Sequence, residues 1–163
     1  MSKRIAAFIP VVLIVIAAAA AKPILTLDSY GVVVFGVRLR DVEKKLGEKA
    51  ELTTTVNPSC SYVTFKRYPN AAFMLEDGVI TRADVSEEVP NAFGITVGTS
   101  FSEVKRKFPN VIVERHEYDS DGHYLILKSA DKKKAIVMEE SDGKVTRVRG
   151  GLIPSVQYVE GCV

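Results

Sequence analysis

The sequence predicts an α+β fold of two tandem repeats, each a short helix packed on an antiparallel sheet of about four strands. A helix-sized segment occurs twice, at residues 36–47 and 98–109, and its apolar positions Leu39, Val42 and Leu46 reappear 62 residues later. The same separation of 62 residues relates two strand patterns that contain tyrosine. A slightly larger separation relates two Asp-Gly turns, each of which is followed by Thr-Arg. Because the blocks recur in one order, they indicate an internal duplication.

The two helices have recognisable boundaries. The first is expected over residues 38–46, where apolar residues recur on one stripe and Gly47 provides a C-terminal stop. The second should begin after Ser100, because Glu103 follows three residues later in the spacing of a capping box. It should end before Pro109, which cannot continue a helix.

Strand patterns follow each helix. Alternating apolar and polar residues, separated by Pro, Asn, Asp and Gly, favour hairpins. The expected strands are residues 52–56, 61–68, 71–75, 79–85, 111–118, 123–127, 135–139, 144–148 and 156–160. The repeats would cover about residues 31–88 and 94–160 of a single domain at residues 22–163, since each half is small for a separate core.

The N-terminal 21 residues have the features of a signal peptide. Lys3 and Arg4 precede an apolar run, and a series of alanines then offers a cleavage site before Lys22. An uncleaved anchor is the alternative, although the run is short for a bilayer span. We therefore expect the protein to be periplasmic or secreted, without a stable membrane span after cleavage.

The charge of the remaining chain is balanced. Two of the 22 Lys and Arg residues lie in the expected signal peptide, which contains none of the 20 Asp and Glu residues. The mature chain thus carries equal numbers of cationic and acidic side chains. This balance argues against a globally basic nucleic-acid-binding protein.

The sequence contains two cysteines, Cys60 and Cys162. In an exported chain this even count favours one disulfide, which would tie the C-terminus to the first repeat. A metal pair or a catalytic thiol is the alternative, but neither a Cys-x-x-Cys spacing nor a neighbouring histidine supports it.

Strand alternation predicts a polar face opposite the helices. Tyr and Arg are frequent anchors of protein interfaces, and they also suit sugars and anionic groups. The alternative interpretation assigns these residues no function, because any half-exposed sheet carries such residues. The candidate binding residues are Tyr62, Lys66, Tyr68, Arg82, Tyr124, Lys128, Arg147 and Arg149.

Evidence for catalysis or metal binding in the sequence is weak. His116 and His123 flank a turn that contains Asp119 and Asp121, but whether the histidines share a face depends on the hairpin register. The remainder of a calcium-binding loop is missing. A Gly-x-Ser-x-Gly elbow is also missing, and the Glu139-Glu140 pair is interpreted as solvated loop charge. We therefore expect no catalytic residues, metal or cofactor.

The helix motif and its following hairpin resemble two known families. The repeat is similar to that of β-lactamase inhibitory protein and to the SmpA/OmlA-type outer-membrane assembly lipoproteins. The residues that carry this resemblance are Gly98-Thr99-Ser100, Val104, Phe108-Pro109, Gly36, Val42 and Leu46-Gly47. The resemblance implies tandem α+β repeats whose sheets bind a partner protein without catalysis.

Two features depart from these families. The two cysteines lie about 100 residues apart, whereas the inhibitor family has disulfides local to each repeat, and the lipidated cysteine of the lipoproteins is absent. The segment from Tyr158 to Cys162 also resembles exported bacterial proteins of unassigned function, some of which are called lectins.

Three functional hypotheses follow from these observations. The first is an exported, non-enzymatic binding module that contacts an envelope or extracellular protein, as an inhibitor or an assembly factor would. The second is a carbohydrate- or polyanion-binding protein that uses the same face. The third is an enzyme whose site includes His116 and His123.

Overall fold

The computed structural model describes residues 22–57 and 59–162, so the expected signal peptide lies outside the described residues. Two helices and ten strands are present in this part of the chain. The helices are α1 (Leu39–Leu46) and α2 (Phe101–Lys107). The strands are β1 (Ser29–Tyr30), β2 (Val33–Val34), β3 (Glu51–Asn57), β4 (Cys60–Thr64), β5 (Ala71–Glu76), β6 (Val79–Val85), β7 (Ile112–Arg115), β8 (His123–Lys128), β9 (Lys134–Ser141) and β10 (Lys144–Leu152).

The main sheet has eight antiparallel strands in the order β3-β4-β5-β6-β10-β9-β8-β7. Strands β3–β6 and β7–β10 are two four-stranded meanders, and the pairing of β6 with β10 joins them into one sheet. Strands β1 and β2 form a separate small hairpin. The α+β class and the antiparallel sheet are thus as the sequence predicts.

The helices cover one face of the sheet, which we call the helix face. Val42 and Leu46 of α1 and Val104 of α2 pack in the same core as Phe73 and Leu125 from the sheet. Burial of these side chains removes apolar surface from water and supplies the main favourable free energy of folding. The predicted apolar stripe of α1 is confirmed.

Both helix boundaries agree with the sequence to within one residue. Gly47 ends α1 in the left-handed conformation, with φ of 69°. The Ser100 side chain accepts a hydrogen bond of 3.2 Å from the Glu103 N–H at the start of α2. No helix in the described part of the chain is both long and apolar enough to cross a membrane.

The connections of the two helices to the sheet use matching hydrogen bonds. The N–H groups of Gly36 and Gly98 each donate a 2.7 Å hydrogen bond, to the carbonyls of Ile80 and Val145. Immediately beyond these contacts, β6 and β10 each contain one extra residue, Thr81 and Thr146, which forms a bulge against the neighbouring strand. Gly36 and Gly98, and likewise Thr81 and Thr146, are separated by the same numbers of residues as the recurring sequence blocks.

Three predicted strands differ from the observed chain path, and one of them is the strand over residues 111–118, since β7 ends at Arg115. Residues 156–160 do not form a strand, because Ser155–Gln157 is a single turn of 3-10 helix and the following residues are irregular. The predicted strand over residues 61–68 ends at Thr64, and the chain then turns, with a 2.9 Å hydrogen bond from the Tyr68 N–H to the Phe65 carbonyl.

Candidate functional site

The C-terminal segment crosses the face of the sheet opposite the helices. We call residues 153–162 the strap and this side of the sheet the outer face. Val156 of the strap is fully buried against an apolar cluster on this face that includes Tyr124, Ile126 and Val137. Cys162 forms a disulfide with Cys60 of β4, as predicted. The strap therefore runs from the second meander to the first and is covalently fixed there.

Two buried arginines hold the strap by its backbone. Arg82 Nη1 donates a 2.6 Å hydrogen bond to the Tyr158 carbonyl, and Arg149 Nε donates one of 2.8 Å to the Val156 carbonyl. Their side chains are only 6% and 4% exposed. Hydrogen bonds from a charged donor are stronger than neutral ones, so these contacts fix the position of the strap.

Each of these arginines also has a carboxylate partner. Arg82 donates to both oxygens of Asp84, at 2.9 Å from Nε and 2.6 Å from Nη2. Arg149 Nη1 donates to Glu139, and its guanidinium lies 5.6 Å from the centre of the Tyr124 ring. The pairing of β6 with β10 places Asp84 directly opposite Arg149, so the two ion pairs form one charged network.

Five of the eight residues predicted for the Tyr/Lys/Arg face are not openly exposed on the outer face. Tyr62, Arg82, Tyr124 and Arg149 do point away from the helices, but the strap covers them. Alternation along a strand determines which face a side chain occupies, and it carries no information about whether a distant segment covers that face.

Tyr68 lies on the other side of the sheet. Because the chain turns after Thr64, the Tyr68 ring packs in the helix-face core, 5.2 Å from the Tyr30 ring centre. Its hydroxyl accepts a 3.1 Å hydrogen bond from the Val32 N–H. This tyrosine therefore fixes the β1–β2 hairpin to the core, and its predicted place on the outer face is wrong.

Three of the predicted binding residues are exposed. Lys66 lies in the turn after β4, 3.5 Å from Glu51, and Lys128 is at the end of β8. Arg147 of β10 has a side chain that is 78% exposed and lies 3.8 Å from Glu139 Oε2. Of these three, only Arg147 adjoins the charged network beneath the strap.

A cleft of about 460 Å³ opens beside the strap at the junction of β6 and β10. We call it the arginine cleft, because Arg82, Arg147 and Arg149 contribute to its lining. It also contains three carboxylates, those of Asp84, Glu87 and Glu139. The cleft thus contains equal numbers of guanidinium and carboxylate groups. Among the residues that form the ion pairs, Arg147 is the most exposed.

A second cleft, of about 480 Å³, is bordered by the C-terminal end of the strap. Its lining has a different character, with three carboxylates, two exposed tyrosines and the disulfide. We call it the acidic cleft. Its lining residues are Cys60, Met74, Glu76, Glu117, Tyr118, Tyr158, Val159, Glu160, Gly161 and Cys162.

Tyr62 lies beneath the end of the strap, where its hydroxyl faces Gly161. A Cβ atom at Gly161 would lie 2.6 Å from the Tyr62 hydroxyl oxygen, so only glycine fits this contact. Burial, and secondarily the negative charge of Asp84, raises the pKa of Tyr62 to about 12. Its neutral hydroxyl is therefore part of the structure at ordinary pH.

The two histidines do not form a common site. His116 stacks on Tyr124 on the outer face, with ring centres 4.6 Å apart, whereas His123 stacks on Phe101 of α2 on the helix face. His123 Nδ1 lies 2.7 Å from Glu140 Oε2. Within residues 22–57 and 59–162, no group of three or more His, Cys, Asp and Glu side chains is arranged to hold a metal ion.

The interpretation of Glu139 and Glu140 as solvated loop charge is wrong. Both side chains are buried in β9, and they point to opposite faces of the sheet. Glu139 binds Arg149 on the outer face, while Glu140 accepts a 2.6 Å hydrogen bond from the Gly143 N–H and pairs with His123. The available signal was their place inside an apolar strand, where a charge requires a partner.

No model of a known protein family matches this chain, and neither the comparison with curated proteins nor the comparison with solved structures finds a significant match.

Proposed function

We propose that this protein is an exported, non-enzymatic binding module that contacts a partner protein through the outer face of its sheet, beside the strap. The observation that carries the proposal is the arginine cleft. Arg147 is exposed there, next to buried ion pairs that hold the surrounding backbone in place. Arginine is a frequent anchor of protein interfaces, and the fixed backbone beneath Arg147 does not have to become ordered on binding.

The disulfide supports the proposed export. Disulfides persist in oxidising compartments and are rare in the cytosol. The bridge between Cys60 and Cys162 holds the strap across the outer face and thereby shapes both clefts. The expected mature protein begins at Lys22, and N-terminal sequencing of the protein from its native compartment tests this.

We also propose that the two meanders, each with its helix, are copies of one duplicated unit. The matching hydrogen bonds of Gly36 and Gly98 and the matching bulges at Thr81 and Thr146 support this interpretation. The Asp77-Gly78 and Asp142-Gly143 turns also have nearly equal φ values, 48° and 78° against 51° and 76°. Exchanging residues 76–79 with residues 141–144 tests it, because equivalent turns should be interchangeable with little loss of stability.

The alternative of carbohydrate or polyanion binding has less support. It depended on an open face of Tyr, Lys and Arg, and the strap covers four of those eight side chains. The arginine cleft contains as many carboxylates as guanidinium groups, so it does not attract a polyanion strongly.

Site-specific photo-crosslinking tests the proposed interface. A photoreactive phenylalanine derivative placed at Glu87, an exposed residue of the arginine cleft, leaves Arg147 intact and should crosslink one protein from an envelope extract. The matched control is Arg106, an exposed arginine of α2 on the helix side of the sheet. Equal crosslinking from both positions, or a partner captured from position 106 alone, would contradict the proposal.

A further inference from the structure

The first residues of the expected mature chain are built into the fold. Leu25 is fully buried in the helix-face core. Its N–H donates a 2.9 Å hydrogen bond to the Pro90 carbonyl, and its carbonyl accepts one of 2.9 Å from the Ala92 N–H. Both backbone groups of Leu25 are thus paired with the segment that connects the two meanders. This anchored residue comes only three positions after Lys22.

The residues that precede Leu25 also lie against the molecule. The Ile24 carbonyl accepts a 3.2 Å hydrogen bond from the Gly31 N–H. Lys22 and Pro23 contribute to the lining of a surface groove beside the β1–β2 hairpin. The expected cleavage site before Lys22 is therefore followed directly by backbone that the fold holds in place.

This attachment limits the access of a protease to the cleavage site. A protease binds several residues on each side of the bond that it cuts, so a folded chain is cut at such a place only after local opening. Opening here removes Leu25 from the core and breaks its two backbone hydrogen bonds. Exposure of a buried leucine side chain by itself makes the open form at least about tenfold less populated than the docked form. The folded chain therefore protects its own cleavage site.

The place that receives Leu25 is completed late in the chain. A Cβ atom at Gly150 would lie 3.0 Å from Leu25 Cδ1, so β10 is in close contact with this leucine. β10 is held in turn by its pairing with β6 and β9. In a chain that is exported from its N-terminus, Leu25 cannot dock until Gly150 has followed it. The cleavage site thus stays accessible while nearly the whole chain is exported.

We infer that the N-terminal segment is removed only from the unfolded chain, and that a precursor which folds first keeps residues 1–21. The inference rests on the proposed export of the protein. The cleaved protein and the anchored protein, which are alternatives on the sequence alone, become two outcomes of one competition between cleavage and folding. Burial of Leu25 decides the competition, because it closes the site once the sheet is complete.

Cleavage of the full-length precursor by a signal peptidase tests this inference. The precursor, folded and disulfide-bonded in detergent micelles, is compared with a variant that carries a flexible spacer of about ten Gly and Ser residues between Pro23 and Ile24. The spacer leaves the sequence around the cleavage site unchanged and moves the site away from Leu25. The spacer variant should be cleaved at least about tenfold faster than the original precursor, as measured by mass spectrometry.

The matched control carries the same spacer between Lys132 and Lys133, in the exposed turn that connects β8 and β9. It should be cleaved as slowly as the original precursor, because its cleavage site remains attached to the fold. The original precursor diluted from urea directly into the peptidase should be cleaved at the faster rate until it folds.

The outcomes separate this inference from the proposals on which it rests. Equally fast cleavage of the folded original precursor and of the variant with the spacer after Pro23 would refute the inference alone. Failure of the peptidase to cut that variant before Lys22 would overturn the expected cleavage site, and the inference with it. The crosslinking experiment at Glu87 does not depend on cleavage, so it tests the proposed binding function separately.

Discussion

Arg82 and Arg147 lie at matching positions of the two meanders, but their surroundings differ. Each follows a bulge threonine on the strand after an Asp-Gly turn, and each points to the outer face. Arg82 is buried, with Asp84 and the Tyr158 carbonyl as partners. Arg147 is mostly exposed. The strap causes the difference, because it passes over the first arginine on its way to Cys60.

The comparison shows how the strap changes the role of a position that matches in the two meanders. In the first meander, the arginine supports structure by holding the strap. In the second, the equivalent side chain remains available for contact with a partner. The same sequence pattern, Thr-Arg on a returning strand, therefore contributes to stability in one place and to a candidate interface in the other.

The largest expected effect comes from releasing the strap. Replacing both Cys60 and Cys162 by alanine should lower the free energy of unfolding by about 4–5 kcal/mol, because the bridge closes a loop of 102 residues that is otherwise flexible in the unfolded chain. Urea unfolding of the oxidised protein and of the variant measures this. A loss below about 1 kcal/mol would contradict the prediction, because it would mean that the strap comes loose in the folded variant or that the bridge hardly restricts the unfolded chain.

The two arginines should respond differently to truncation. Arg82→Ala leaves Asp84 without its partner and the Tyr158 carbonyl without its donor, so we expect a loss of about 3 kcal/mol. Arg147→Ala should cost no more than about 0.5 kcal/mol, because an exposed ion pair contributes little. Urea unfolding of both variants checks the comparison.

A double variant separates the ion pair from the packing. Adding Asp84→Asn to Arg82→Ala removes the unpaired charge and should restore part of the lost stability. Equal losses for the two single arginine variants would show that the strap does not create the difference between the two meanders.

The fold could be predicted from the sequence wherever a local pattern determines the structure. β6 was expected over residues 79–85 and is observed there, because the Asp-Gly turn fixes where the returning strand begins. The start of α2 followed from the side chain of Ser100, which caps the helix through a contact only three residues away.

The candidate site could not be predicted in the same way. The residues of the strap alternate like a strand, but the strap packs on the outer face of the sheet and is not one of its eight strands. Glu139 was missed because its partner Arg149 comes from the neighbouring strand, and only the register of β9 with β10 brings the two together. Asp84 did have a local signal, because its partner Arg82 lies two residues earlier on the same face of β6.

The helix starts offer a smaller test of the same comparison. Ser100→Ala should destabilise the protein by about 1 kcal/mol, because the Glu103 N–H loses its acceptor. The equivalent position before α1 is Arg38, whose side chain makes no capping hydrogen bond. Arg38→Ala should therefore change the free energy of unfolding by less than about 0.5 kcal/mol. Equal losses would mean that the cap of α2 has no measurable effect.

The last effect is confined to alkaline pH and concerns Tyr62, which lies beneath the end of the strap. Tyr62 has a pKa raised to about 12 by burial and by the charge of Asp84, whereas an unperturbed tyrosine titrates near 10. The folded protein therefore holds the Tyr62 proton more tightly than the unfolded chain does. The stability due to this group is fully present below pH 10 and is lost as the pH rises through about 12.

Tyr62→Phe should flatten the fall in stability between these values, as measured by urea unfolding across the pH series. The control is Tyr158→Phe measured over the same pH series, because it removes a partly exposed phenol from the strap and leaves Tyr62 in place. A Tyr62→Phe curve that matches the original would show that the phenol is in ordinary contact with water, and that the strap does not close over the first meander as tightly as the contact at Gly161 requires.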